Sequence, residues 1–564
     1  MTVAAPDINT PGPSVARPLG RNMAAILTSR SLTIALQFVA FGTLAARLGP
    51  SRLGVYAFGL SFATLFTLAT DIGLRAMMTR ESAQRPEQEA AIVPNVVYVR
   101  MILAPLAYGL MAAILLTVPY TASQRRAGLI AGLILLAQPI ESFQATLEIH
   151  LKMRWSAMAD VVESILGFIG ILVLVHRHAP VESFVWLYVA VNALNMVAVA
   201  SAAALVTHYR WRPEPATWLT LIRKGVPLGI AAVFMSLYYR LDMAILSVVH
   251  RGNAVGQYGA GYRFFEVFAV VASTLMLVLA PVLARSISDD RSVALRRYQR
   301  ALHLMMLLAA PVAIGGVLTA TRLVPALPGF HHYHGAGVTL ALLAPGAAAI
   351  SLTLVVHAML IGAHGQRRLV ITAAMCLVVN LALNFGLILP YSYVGAALAT
   401  TLTEILVLVL SARAVTAIIG PGFRLSRVVR ALRASVVLTI ALVLTSTLHP
   451  FAQVAIGVVA YAVALIPTRS LEWTDLGGML SHQGMRAQID TVAPARWPDG
   501  TRIVLADTPL GVYRQLQGCN ECFITGPVPG WVAPVARLAR CARVVDVTGR
   551  RRRGLRRLFL DPAP

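Results

Sequence analysis

The sequence predicts an all-α polytopic membrane protein with about fourteen transmembrane helices and a small cytoplasmic α/β tail domain. Three observations carry that prediction. Of the 564 residues, 57% are hydrophobic and only 13% charged, with a mean hydropathy of +0.71. A soluble domain needs about 25% charge to clothe its surface. The apolar residues gather in runs of roughly 18 to 28, the length that crosses about 30 Å of hydrocarbon as helix. Lysine and arginine cluster in alternate loops between those runs. Disordered, collagenous and disulfide-framework classes are excluded by the same composition.

Residues 1–20, with Pro11, Pro13 and Pro18, read as a disordered arm without the apolar core of a cleaved signal peptide. The spans follow at 22–46, 53–75, 94–118, 127–149, 158–176, 183–207 and 222–249. The remainder are 258–284, 299–320, 336–362, 369–389, 392–412, 431–448 and 450–467. No run alternates as a barrel strand would. With the N-terminus in the cytoplasm, the inside loops hold 23 Lys/Arg and the outside loops 7, the asymmetry expected of a multi-pass membrane protein with both termini cytoplasmic. The net charge of +24 is therefore a topology signal and predicts no nucleic-acid partner. Beyond residue 468 charge density rises. TRIVLAD (501–507), ECFITG (521–526) and RVVDVTG (543–549) read as strands, with 510–518 and 531–541 as helices between them. The polybasic end, residues 550–562, suits anionic inner-leaflet lipids.

The connection between spans one and two carries Gly54, Tyr56 and Ala57; that between spans seven and eight carries Gly256, Tyr258 and Gly259. Both lie outside, 202 residues apart, which indicates a parallel repeat. The surrounding stretches AARLGPSRLGVYA (45–57), ATDIGLR (69–75), YYRLDMAIL (238–246), VGQYGAGYRFFEVF (255–268), LIGAHGQRRLVI (360–371) and residues 378–404 resemble the oligosaccharide-lipid flippases of polysaccharide biosynthesis, O-antigen type, in the multidrug/oligosaccharidyl-lipid/polysaccharide exporter superfamily. The resemblance covers roughly residues 20–415. It implies two pseudo-symmetric six-helix lobes, 21–208 and 209–415, plus two extra helices within 416–468, ahead of the tail 469–564. It further implies movement of an undecaprenyl-pyrophosphate-linked glycan between leaflets by alternating access, with polymerase or export machinery as partners.

Ionisable residues inside spans are functional suspects. Arg30, Arg240 and Arg263 are candidate cavity contacts for a pyrophosphate, which guanidinium binds bidentately. Arg30 has Glu141 or Glu163 as alternative structural partners. Counted back from the outer turn, Arg240 is level with Glu266 and Asp242 with Arg263, so Asp242 and Glu266 are expected to orient the arginines or to lock a hairpin. Glu404, deep in span twelve, is the candidate ion-coupling carboxylate. Asn380 and Asn384 share a helix face and suit inter-helix hydrogen bonds.

No catalytic constellation, cofactor motif or metal site is expected. His331, His332 and His334 lie in a short turn, and the Cys519–Cys522 pair lacks a second pair for zinc. A membrane glycan polymerase or glycosyltransferase would need a large catalytic loop that the short outside connections cannot build. A cation-coupled small-molecule exporter of the same fold is the nearer alternative.

Overall fold

The computed structural model describes the backbone of residues 16–84, 88–150, 152–289, 291–363, 365–468 and 470, together with 501–505, 521–525 and 543–546. Side chains are described from Leu32 to Ser470, with gaps chiefly in 227–239 and 277–290. Two compact units result, Met1–Met479 and Leu480–Pro564.

In the first unit the chain runs through α1 (Ala16–Asp71), α2 (Leu74–Gln84), α3 (Glu89–Thr117), α4 (Ala122–Gly132), α5 (Ile134–Glu141), α6 (Gln144–Ile149), α7 (Arg154–His176) and α8 (Val181–Ala204). The second half follows as α9 (Pro215–Val249), α10 (Arg251–Asp289), α11 (Arg291–Ala326), α12 (His334–Gly362) and α13 (Gln366–Ile418), then α14 (Leu425–Leu444) and α15 (Pro450–Ala464). Residues 16–20, expected in the N-terminal arm, are already helical. Among the described residues seven helices are long and apolar enough to cross a membrane: α1 from Leu32, α3, α7, α8, α11, α12 and α13.

Two of these are double-length, and each is a pair of helices joined at a kink. In α1 the break is Gly49 (φ 67°) before Pro50; in α13 it is Ser392 (φ 55°), two residues after Pro390. The first break falls between predicted spans and the second at the first residue of predicted span 392–412, each beside the punctuation that interrupts a helical ladder. Predicted span four is instead divided into α4, α5 and α6. Pro139 sits in α5 without an N–H to donate.

One large buried cluster joins the halves: Leu44 and Phe58 of α1, Tyr258 and Phe265 of α10, and Leu340 of α12. The hydroxyl of Tyr333 adds a bond to Ala45 O at 3.0 Å. The halves also meet at both ends of the second arm of α1. At one end a Cβ on Gly54 would lie 1.9 Å from Gly252 O, and one on Gly256 would lie 1.8 Å from Pro50 O. At the other end the chain turns through Ile72 (φ 44°) and Gly73 (φ 76°). There a Cβ on Gly229 would lie 2.4 Å from the carbonyl carbon of Ile72. Roughly 30 Å of helix separates the two contacts, and at each only glycine lets backbone touch backbone.

The connection between the halves is fastened to the first. Asn95 Oδ1 accepts from Glu214 N (2.9 Å) and Trp218 Nε1 (2.9 Å), and its Nδ2 donates to Arg212 O (3.3 Å). Trp218, Leu221 and Ile222 then pack with Leu74, Val96 and Phe143. Helix α9 thus begins in the core of the first half, while its far end, Met243 and Leu246, lies in the cluster shared with α10 and α12. Helices α14 and α15 form their own small core (Ala434, Leu438, Leu442, Tyr461). They are tied to α11 by Tyr461 Oη to Leu307 O (2.7 Å) and by Arg322, whose Nη atoms donate to Ser446 O and Leu448 O.

In the second unit β1 (Thr501–Leu505), β2 (Glu521–Thr525) and β3 (Arg543–Asp546) form a parallel sheet in the order β1-β2-β3. The register pairs Ile503 with Phe523 and Phe523 with Val545. Parallel neighbours require crossover connections; the expected helices 510–518 and 531–541, Cys519, Cys541 and the polybasic end lie outside the described residues.

Candidate functional site

A cavity of about 410 Å³ opens between the halves, walled by α1, α7 and α8 on one side and α9 and α10 on the other. Its second-half wall is cationic. Arg240 Nη2 lies 3.3 Å from Glu266 Oε1, and Arg263 Nη1 lies 3.0 Å from Glu266 Oε2. One carboxylate therefore holds two guanidinium groups, each near 30% exposed. Arg263 also crosses to the first half: its Nη2 donates to Gln37 Oε1 at 3.2 Å, and its guanidinium stands 5.9 Å from the Phe41 ring. The first-half wall presents Tyr56, Ser61, Thr64, Glu163, Tyr188 and Asn192. Glu163 accepts from Asn195 Nδ2 at 2.5 Å, and the same amide reaches Asp160 at 3.2 Å. The lining is thus a pair of arginines on one face and hydroxyls, amides and a carboxylate on the other.

Asp242 takes a different position from the one expected. It is 3% exposed and outside the cavity lining. Its Oδ1 accepts from Met243 N at 2.6 Å; its Oδ2 accepts from Tyr258 Oη and, at 3.4 Å, from Thr400 Oγ1. The expected Asp242–Arg263 pair is replaced by the shared Glu266. The reason is helical geometry: residues two apart point to opposite sides, so Arg240 and Asp242 cannot both face the cavity.

Glu404 is 1% exposed, on α13 within the second half and outside the cavity lining. Beside it in sequence, Thr403 Oγ1 accepts from Asn380 Nδ2 at 3.3 Å, and Asn384 Nδ2 donates to Asn380 Oδ1 at 2.9 Å, which stitches the two arms of α13 together. The Arg30 side chain lies outside the described ones. Glu141, considered as its partner, binds Arg75 at 2.6 Å.

That last contact belongs to a charge network which sequence reasoning did not assemble. Arg75 also meets Glu148 at 2.9 Å. Arg100, 1% exposed, lies 3.6 Å from Glu141 and 3.8 Å from Asp71, and donates to Ser142 Oγ at 2.8 Å. A signal existed in the spacing, Asp71 and Arg75 four apart and Glu141 and Glu148 seven apart, although the turn at Ile72–Gly73 and the break between α5 and α6 put the members of each pair on separate helices. The neutral lining residues Gln37, Tyr188 and Asn192 carried no such signal.

Two halves of apolar helices, each giving one wall to a polar cavity, define the class of multi-span carrier folds. Within that class, residues 19–287 match the family described as Polysaccharide biosynthesis protein, so the likeness carried by the sequence motifs is shown over that stretch. Among solved structures the fold is similar to "Lipid II flippase MurJ, inward closed conformation", with a TM-score of 0.67 and 14% identity over 79% of this chain and 98% of that one. It is also similar to an inward-facing multidrug resistance MATE family transporter of the MOP superfamily (TM-score 0.53, 13% identity, 70% of this chain, 98% of that one). An outward-facing MATE family transporter gives a TM-score of 0.50 at 13% identity, over 73% of this chain and 99% of that one. At such identities the likeness is one of fold. No curated protein matches the chain in sequence.

Proposed function

We propose that the protein is a flippase that carries an undecaprenyl-pyrophosphate-linked oligosaccharide from the cytoplasmic to the outer leaflet of the bacterial inner membrane by alternating access. The observation that carries this reading is the pair of arginines held on Glu266 in a cavity between two halves. A pyrophosphate needs two cationic, hydrogen-bonding groups at close quarters, and a glycan needs hydroxyls and amides such as Tyr56, Tyr188 and Asn192. In this reading the diphosphate displaces Glu266 from Arg240 and Arg263, so substrate and acid exchange places on the same guanidinium groups. The protein then has fourteen spans in two six-helix lobes plus α14–α15, both termini in the cytoplasm, an α/β tail, and polysaccharide polymerase or export machinery as partners.

Alternating access requires a ligand that binds one state better than the other. Glu404 is the proposed coupling carboxylate, because a carboxyl moved between dry and wet surroundings changes its proton affinity. The MATE-like fold favours a second reading, a cation-coupled small-molecule exporter, for which Glu163 and Glu266 would hold the cation. The deciding experiment is lipid analysis of a deletion strain. Accumulation of an undecaprenyl-pyrophosphate glycan, reversed by the wild-type gene and not by Arg240→Ala/Arg263→Ala, is the expected result. A normal lipid profile with raised drug sensitivity would favour the exporter.

A further inference from the structure

The two halves treat charge differently at the end where α11 and α14 begin. In the first half several basic groups meet acids: Arg75 meets Glu141 and Glu148, Arg100 lies between Asp71 and Glu141, and His150 lies 2.8 Å from Glu89. From Asp289 to Ser470, by contrast, the sequence holds thirteen arginines against three acids. Two of those acids, Asp289 and Asp290, adjoin Arg291; the third, Glu404, is buried within the second half.

The fold collects most of these arginines at this end; Arg322 instead lies near the far end of α11, bound to Ser446 O and Leu448 O. Arg291 Nε donates to Ile419 O at 3.0 Å and Gln299 Nε2 to Pro421 O at 2.8 Å, which lays the turn before α14 along the first turns of α11. Gly422 makes this possible, since a Cβ there would lie 2.2 Å from the Tyr298 ring. Ser470 Oγ donates to Arg430 O at 2.7 Å and Ser470 O contacts His303 Nε2 at 2.8 Å, drawing α14 onto α11 a second time. Arg368 Nη1 donates to Ala414 O at 3.1 Å, adding the start of α13 to its end. Arg296, Arg367, Arg413, Arg424 and Arg433 are all exposed on this surface.

Helix α14 adds an apolar signature. Leu425, Val429, Leu432 and Val436 are 79%, 44%, 45% and 57% exposed. At 3.6 residues per turn they fall in one line, with Arg424 and Arg433 roughly 80–100° to either side of it. An apolar ridge flanked by guanidinium groups fits acyl chains between phosphates and does not fit a soluble protein or a nucleic acid.

We propose that this end of the second half is a binding surface for anionic phospholipid headgroups of the cytoplasmic leaflet, seated on α11 and α14 and independent of what the cavity carries. Each guanidinium near an anionic leaflet adds a favourable charge interaction with the lipid phosphates. The surface would hold the second half at a fixed depth in the leaflet.

The test uses the full chain in detergent, titrated with phosphatidylglycerol, phosphatidylcholine or inorganic pyrophosphate, with bound lipid counted by native mass spectrometry and thermal unfolding followed by tryptophan fluorescence. Phosphatidylglycerol should be retained at least fivefold better than phosphatidylcholine, and this preference should shrink as salt screens it. The triple change Arg296→Gln, Arg424→Gln and Arg433→Gln should abolish the preference, the three corresponding Lys changes should keep it, and Arg52→Gln/Arg177→Gln should not alter it. Equal retention of the two lipids overturns the proposal, as does a preference that survives the triple Gln change. Competition by pyrophosphate as strong as by phosphatidylglycerol overturns it in favour of a simple phosphate site. Should the Gln variant misfold, the Lys variant decides: loss of preference there with a normal melting profile also overturns it.

Discussion

Glu266 accepts from two guanidinium groups at 3.3 and 3.0 Å in a partly exposed cavity. Exposed ion pairs of this kind contribute about 0–1 kcal/mol, so the arrangement acts on charge placement more than on stability. Glu266→Gln keeps the side-chain shape and frees both arginines of their counter-charge. The expected outcome is several-fold tighter binding of undecaprenyl pyrophosphate to the purified protein together with at least tenfold slower glycan export. Arg263→Gln should weaken both. If Glu266→Gln and Arg263→Gln move binding in the same direction, the acid is not competing with substrate for the arginines. Glu404→Gln, in turn, should reach the membrane in normal amount yet lose export, with Glu404→Asp retaining part of it; normal export by Glu404→Gln would place coupling elsewhere. Arg100 is a different case. Buried among Asp71, Glu141 and Ser142, it belongs to a network whose disruption costs about 3–5 kcal/mol. Arg100→Met should therefore lower resistance to denaturant titration rather than act on substrate binding, and unchanged resistance would contradict that assignment.

Helices as elements divide into those whose course the sequence announced and those whose rotation it hid. The breaks in α1 and α13 were legible because Gly49-Pro50 and Pro390 interrupt long apolar runs. The face each helix turns to its neighbours was not. Nothing in composition says that Arg240 faces the cavity and Asp242 faces Tyr258, because charges two apart look alike until the helix is oriented. The glycines were only half legible: Gly54 and Gly256 stood out as a repeat, but their contact with the opposite backbone did not. That contact yields an element-scale prediction. Gly256→Val would drive a side chain into Pro50 O, and Gly229→Leu would drive one into Ile72. Each should hold the halves apart at its own end, at an overpacking cost of about 1–3 kcal/mol. A cysteine at Ser61 should become labelled faster in one of these variants than in wild type, and export should fall in both. Normal export from either would show that the glycine contacts are mere packing.

For the whole molecule, the loop charges predict an orientation that reporter fusions can check. Fusions after residues 122, 179 and 329 should report the outside, and those after 86, 212, 291, 425 and 500 the cytoplasm. Two consecutive fusions on the same side would break the fourteen-span reading. The first half is expected to move with its strap: the connection bound by Asn95, and the opening turns of α9, travel with α3. Asn95→Ala should raise proteolytic cleavage within residues 205–214 while leaving the α11–α13 core resistant.

The glycine contacts also bear on the membrane as an electrical insulator. A carrier for a bulky polar molecule holds a hydrated space within a layer whose voltage the cell depends on. Where Gly54 meets Gly252 and Gly256, and where Gly73 meets Gly225 and Gly229, backbone lies against backbone. No layer of side chains stands between the halves there, and no thickness is left along those contacts for a thread of water to conduct protons. For the proposed flippase, small residues at these two places would serve a hydrated interior without short-circuiting the bilayer around it.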